Sequence, residues 1–402
     1  MLNERGYWAR SEGEVRDKTK GEKEIVWPAA WAVHVDFSAV TGLASQTERL
    51  RALAEGMGLK FIALKAEDAF DPTLSRRIGA AAGLPVEEGE GEGVALSVNL
   101  ADIGLNLHSA PKQDPLEALR ALLAGLPAPS RPTLLGHILD GLLTLAATTL
   151  PNVGVLLEGE TSTRQAERVI GATAGGRGWA LPLELATRLP LTTSASSSDP
   201  SVEATTRVVR IKPMKDITVK EAAIYCRTSG LESVNERKWD GTVGEPRRDA
   251  RGKGAFASIE ALTERFIATL NVSHPSTVNT INRTGNKLQF AGTPNNEQTR
   301  CPLCEMPVDD SATEWKARAS LTSLPGRGPE RREEEPRETE LKPLLCYSCL
   351  TAFTPLTAAK RDQLAADVPL PLWVGPQVAQ RRGVSEDEMR RQIDEFIIDD
   401  DE

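Results

Sequence analysis

Aromatic residues are scarce in this 402-residue chain: they make up 4% of it, with only three tyrosines. A core must therefore rest on Leu, Val, Ile and Ala. Basic residues are outnumbered, 48 against 57 acidic ones, for a net charge of −9 and a pI of about 5.3. Phosphate binding needs a basic footprint, so the chain as a whole is not built to grip nucleic acid alone. Any RNA contact would use a local patch or a partner's surface. No apolar run is long enough to span a bilayer, and no membrane association is expected. "LLGHILDGLLTLAATTL" comes nearest, but His137 and Asp140 interrupt it. Its residues Leu135, Ile138, Leu139, Leu142 and Ala146 recur at helical spacing, the mark of a core helix. The opening "MLNERGYWARSEGEVRDKTKGEKE" is polar and charged, unlike a signal peptide or a membrane anchor. A cytoplasmic protein with reduced thiols is expected, not a disulfide framework.

Reactive constellations are also missing. His34, His108, His137 and His274 lie far apart without ligand-like neighbours and read as structural. No nucleophile, base and acid can be grouped, so no catalytic residue is assigned.

What is present fits an ordinary globular protein of two or three domains, with 40% hydrophobic and 26% charged residues. "WAVHVDF" reads as a buried strand and "KFIALKA" as another. Between them lies a helix that Ser45 and Glu48 would open as a capping box. "VEEGEGEGVA" reads as a solvated acidic loop, unable to cradle a phosphate. "DPLEALRALLAGL" reads as a helix with Asp114 as cap and Pro115 at its first position. The core helix near 134–147 is followed by a strand, "VGVLLEG". A helix follows, opened by Ser162 and Gln165 and stopped at Gly175–Gly176. Helix, strand and helix in alternation predict an α/β fold with a parallel sheet. "RVVRI" reads as a strand, "ITVKEAAIYCRTSG" as a helix boxed by Thr218 and Glu221 and ended by Gly230, and "ASIEALTERFIATL" as a further helix.

The cysteines carry the strongest chemical signal. Four of the five stand in two Cys-x-x-Cys pairs, Cys301/Cys304 and Cys346/Cys349. Each pair can turn both sulfurs onto one cation, and two pairs complete a tetrahedral Zn²⁺ site with no position left for water. A structural zinc is therefore expected. A redox dithiol is disfavoured, because neither pair reads as following a strand at a helix start. The charge-rich excursion between the pairs, including "GRGPERREEEPRETE", reads as disordered, which loop-closure entropy tolerates. Cys226 shares its helix with Val219, Ala222 and Ala223 and reads as a small buried hydrophobe.

Two further stretches are candidate binding sites. "LEGETSTRQAERVI" places Gly159, Thr161, Ser162, Thr163 and Arg164 where a strand gives way to a helix. That position suits an anion or nucleotide, and suits a plain capped helix equally well. Arg210, Lys212 and Lys215, with Lys238, Arg247 and Arg248 from the loop at 235–254, could form one basic surface for RNA. A solvated charged loop is the plainer alternative for 235–254.

Three motifs in order, "LLEGETSTRQAERVI", "RVVRIKPMKDITVKEAAIYCRTSGL" and "CPLC…CYSC", resemble the second subunit of the cytoplasmic tRNA 2-thiolation complex. The resemblance runs from about "HVDFSAVTG" to "LLCYSCLTAF". It implies an ATP-pyrophosphatase-like fold (PP-loop, of the adenine nucleotide alpha hydrolase-like type) with a C-terminal zinc ribbon. It also implies a heterodimer with a catalytic paralogue that thiolates the wobble uridine of Lys, Glu and Gln tRNAs, with sulfur from a ubiquitin-like carrier. The family's Ser-Gly-Gly-type pyrophosphate loop is not found, which counts against ATP binding and suggests an N-terminally shortened chain. The expected organisation is a residual helix or linker at 1–30 and the α/β domain at 31–200. A mainly helical extension at 201–290 and a zinc ribbon at 291–365, with its insert at 309–340, precede an acidic tail at 366–402. The resemblance implies a tRNA- and partner-binding subunit without catalysis of its own. The alternatives are a zinc-ribbon adaptor unrelated to tRNA and an independent adenylating sulfurtransferase or amidotransferase.

Overall fold

A computed structural model describes residues 30–84, 96–99, 104–106, 114–127, 130–192, 207–234, 259–289, 300–308, 312–319, 341–353 and 367–382. The acidic glycine repeat, the basic loop at 235–254, the charged excursion after 319 and residues 383–402 lie outside these residues, as do residues 1–29; of the expected acidic tail at 366–402, residues 367–382 form a strand and a helix.

The strands are β1 (Trp31–Asp36), β2 (Lys60–Lys65), β3 (Ser97–Asn99), β4 (Gly104–Asn106), β5 (Val155–Leu157), β6 (Arg188–Thr192), β7 (Arg207–Ile211) and β8 (Asp367–Pro369). The first helices are α1 (Ser38–Thr41), α2 (Thr47–Gly56), α3 (Leu74–Ala81), α4 (Pro115–Gly125), α5 (Arg131–Thr149) and α6 (Ser162–Ala174). The later ones are α7 (Leu181–Glu184), α8 (Val219–Thr228), α9 (Ile259–Ser273), α10 (Ser276–Gly285), α11 (Ala312–Ala319), α12 (Tyr347–Phe353) and α13 (Val374–Arg382).

The α/β class holds, but the described strands do not form one parallel sheet. β1 and β2 make a parallel pair, β5 pairs parallel with β7 while β6 pairs antiparallel to it, and β4–β3–β8 is antiparallel throughout. Strand β1 is half-buried along most of its length, with Val35 fully enclosed.

Helix α5 is the centre of the molecule. Leu135, Ile138, Leu142 and Ala146 are all fully buried, as the spacing predicts, whereas Leu139 is only partly covered. The helix stops at Leu150, whose extended backbone suits the residue before Pro151. Around α5, one apolar core joins Ile62 and Leu64 of β2, Ile78 of α3 and Leu119 of α4. The same core takes in Cys301, Leu303, Leu345 and Phe353 around the cysteine pairs, and Val374 of α13. A smaller cluster, Ala166, Ile267 and Val278, joins α6 to α9 and α10.

Three helix starts differ from expectation. Asp36 collects Ser45, Thr47 and the Ser38 N–H, so Ser45 serves that carboxylate and α2 begins at Thr47 without a side-chain cap. At α6 the cap is Thr161, which accepts from the Arg164 N–H, and Gln165 reaches instead to Asn286. Pro115 takes the first position of α4, where Asp114 makes no side-chain cap bond. The Thr218/Glu221 box at α8 forms as read, and Gly230 follows with a left-handed φ of +64°.

Candidate metal centre

The Cys301 pair sits in a tight turn. The Cys301 N–H donates to the Met306 carbonyl and the Glu305 N–H to the Cys301 carbonyl, both at 2.8 Å. Glu305 takes a left-handed φ of +58° to close it, and Arg300 and Pro307 bridge its two arms. The second pair is built differently from expectation: Cys346 directly precedes α12 and Cys349 lies in its first turn, after a short 3-10 turn at Lys342–Leu344. No strand leads into it, so the arrangement still differs from a thioredoxin-like dithiol.

Together the turns bring the four sulfurs within 4.8 Å of one another, with Cys304 and Cys346 at 3.7 Å. Tetrahedral Zn–S bonds of about 2.3 Å place sulfurs about 3.8 Å apart. The donor set therefore fits a metal ion, and zinc suits four thiolates best. The thiol equilibria point the same way. Burial opposes ionisation of Cys301, but hydrogen bonds from the other three cysteines bring its pKa well down. Sharing with Cys301 pushes Cys304 and Cys349 well up. A bound dication favours the thiolate form of its ligands.

The centre is not confined to the cysteine segments. His137 of α5 places Nε2 3.7 Å from Cys349 Sγ. Arg177, in the turn between α6 and α7, places Nη1 3.0 Å from that nitrogen and 3.3 Å from Nδ1. Its other guanidinium atoms bind Glu184. Burial first, and the Arg177 charge second, drive the His137 pKa down to about 3, so the ring is neutral. Burial also opposes the Arg177 charge, but Glu184 and the sulfurs of Cys304 and Cys349 keep it protonated and raise its pKa. Neither residue has a sequence neighbour that marks it, though Gly175–Gly176 marks the turn that carries Arg177.

The other expected sites take different forms. Thr161, Ser162 and Thr163 are buried, and the segment before α8 covers them. The Ser162 N–H donates to the Ile217 carbonyl, and Thr163 Oγ1 accepts from the Val219 N–H. Arg164 turns to Glu167 and Glu264, while Gly159 is exposed. This is the geometry of the capped-helix reading.

Arg210 and Lys212 are not on a basic surface. Arg210 pairs with Glu158 at 3.0 Å and donates to Thr144 at 3.1 Å. Lys212 pairs with Glu160 and donates to the Glu184 carbonyl at 2.6 Å. Burial opposes ionisation of Glu160, yet the charges of Arg168 and Lys212 lower its pKa. Lys215 is half-buried, and Lys238, Arg247 and Arg248 lie outside the described residues. Cys226 is only half-buried, because α8 encloses none of its residues completely.

A mixed α/β body with a four-cysteine centre set against its main helix defines the class of protein. Relatives narrow it further. The family model for cytoplasmic tRNA 2-thiolation protein 2 matches residues 258–351, a span that includes all four cysteines. Cytoplasmic tRNA 2-thiolation protein 2 of Danio rerio is 26% identical over 283 residues, 61% of this chain and 50% of that protein. The 2-A protein of Xenopus laevis is 26% identical over 330 residues, 73% of this chain and 58% of that one. The Rattus norvegicus protein is 31% identical over 218 residues, 52% of this chain and 37% of its own length. Over these spans the chain is similar to cytoplasmic tRNA 2-thiolation protein 2. The chain spans about half the length of the first two of these relatives. No described helix is long and apolar enough to cross a membrane.

Proposed function

We propose that this chain works in the cytoplasm as a subunit of the complex that 2-thiolates the wobble uridine of Lys, Glu and Gln tRNAs. Its role there is structural and partner-binding, beside a catalytic paralogue that receives sulfur through a ubiquitin-like carrier. The observation that carries this reading is the four-cysteine centre, which lies wholly inside the family-matched span and is packed into the main core. The centre holds zinc, and all its ligand positions are filled by protein, so it organises the chain and performs no bond chemistry. The two parallel strand pairs, each with intervening helices, support a PP-loop-like body for the α/β part. Since Arg210 and Lys212 are turned inward, tRNA contact on this chain falls to Lys215 and the basic loop at 235–254, assisted by the partner.

The test is mass spectrometry of wobble uridines from cells lacking the gene, complemented with this chain or with its Cys349→Ser form. The expected result is loss of 2-thiouridine on deletion, recovery with the chain and failure of the variant. Unchanged thiolation on deletion overturns the reading in favour of a zinc adaptor outside tRNA metabolism.

A further inference from the structure

A divalent cation on four thiolates leaves a doubly anionic centre. Burying net charge is strongly unfavourable unless an opposite charge stands close. Cys301 and Cys349 are 0% and 1% exposed, so water cannot supply that compensation at their sulfurs.

We propose that Arg177, acting through His137, is the counter-cation of the metal-loaded centre, so that the metal is held jointly by the cysteine segments and the α/β body. The proposal rests on the reading of the four cysteines as a zinc site. Arginine is always charged and stacks readily on flat rings, as Arg177 does on His137. A metal-bound Cys349 thiolate can only accept, so Nε2 carries its proton toward sulfur at 3.7 Å. Nη1 lies 3.0 Å from Nε2 and 3.3 Å from Nδ1, so the guanidinium sits over the face of the ring and brings its charge beside the Cys349 thiolate. Metal ligands oriented in this manner by an outer hydrogen-bond partner are a general device for tuning affinity.

The arginine is itself anchored. Its side chain is 15% exposed and Glu184 grips its outer face. Lys212 holds the Glu184 carbonyl and pairs with Glu160, which also takes Arg168 at 2.6 Å. The line of alternating charges thus runs from Cys349 into the region of α6 and β7. Gly176, next to the arginine, is in contact range of the Tyr347 ring, so the backbone of the turn and α12 are pressed together at the same place.

The experiment uses the full chain, loaded with zinc, in competition with a chromophoric chelator. Cobalt(II) replaces zinc in a parallel set, and its sulfur-to-metal charge-transfer band reports the electrostatics at the thiolates. Arg177→Met is expected to weaken zinc binding about 10–100-fold, the usual cost of losing an outer partner, and to shift the band. Arg177→Lys restores part of both. Arg210→Met removes a similarly buried guanidinium, 11% exposed and bound to Glu158, and leaves both unchanged. Should Arg177→Met not fold, His137→Phe breaks the same link and is read in the same two ways. Wild-type affinity and spectrum in Arg177→Met, or in His137→Phe where that stands in, overturn the proposal. So does an equal loss in Arg210→Met, which would make the effect one of general packing. A wild-type chain that takes up no zinc sinks the zinc reading itself, a result distinct from either.

Discussion

At Gly176 the backbone takes a φ of +78°, and a methyl group there would lie 2.5 Å from two ring carbons of Tyr347. Both the left-handed backbone and the ring exclude a side chain. Gly176→Ala should cost about 1–3 kcal/mol from overpacking alone, read as a lower urea midpoint with an unchanged slope. Asp36 offers a second test. Its partial burial opposes ionisation, but hydrogen bonds from Ser45, Ser38 and Thr47 prevail and lower its pKa below the ordinary 3.8. A lowered carboxylate stabilises above its unfolded value and loses that contribution as the pH falls through its folded value. The stability margin of wild type over Asp36→Asn should therefore hold at neutral pH and shrink below about 3.8. A constant margin down to pH 2 contradicts this assignment. Single residues were legible in the sequence where their meaning is local. The cysteine pairs could be read because two ligands fit one short turn. His137 and Arg177 could not, because they meet only after α5 and the turn after α6 have packed.

Elements show the same contrast. β7 alternates, and Arg210 and Lys212 share the face of Val208, which is 0% exposed. Their charges therefore turn inward, where Glu158 and Glu160, at the same spacing after β5, receive them. By composition alone the two basic residues suggest a surface patch; by the strand period they belong to a buried ion network. Helix α8 has the cap its sequence predicts but not the burial. Its Thr218 box is formed, while Ile224 and Tyr225 are 53% and 45% exposed. Such a helix depends on its cap more than on packing. Thr218→Ala should speed amide exchange at residues 219–223 while leaving the global unfolding midpoint almost unmoved. A large fall in the midpoint would show instead that α8 carries core contacts.

For the whole molecule, alternating helices and strands made the α/β class legible, whereas the sheet order was not. β3 finds its partner β8 near the other end of the chain, and such short strands carry little signal of their own. The core crosses the same distance, from Ile62 to Val378. Removing the metal with a chelator should therefore loosen more than the ligand turns. Exchange should rise at 301–307 and 347–353 and also around His137, while β1 and β2 stay protected. Exchange confined to the cysteine segments would mean that the body is indifferent to the ion.

That shared core bears on portability. A fragment beginning at residue 291 would carry all four cysteines, yet it would leave behind His137, Arg177 and the α5 residues that share one core with Leu303, Leu345 and Phe353. Grafted onto another protein, it would be a sticky, loosely closed ribbon. The centre can travel between proteins only together with the helix it leans on.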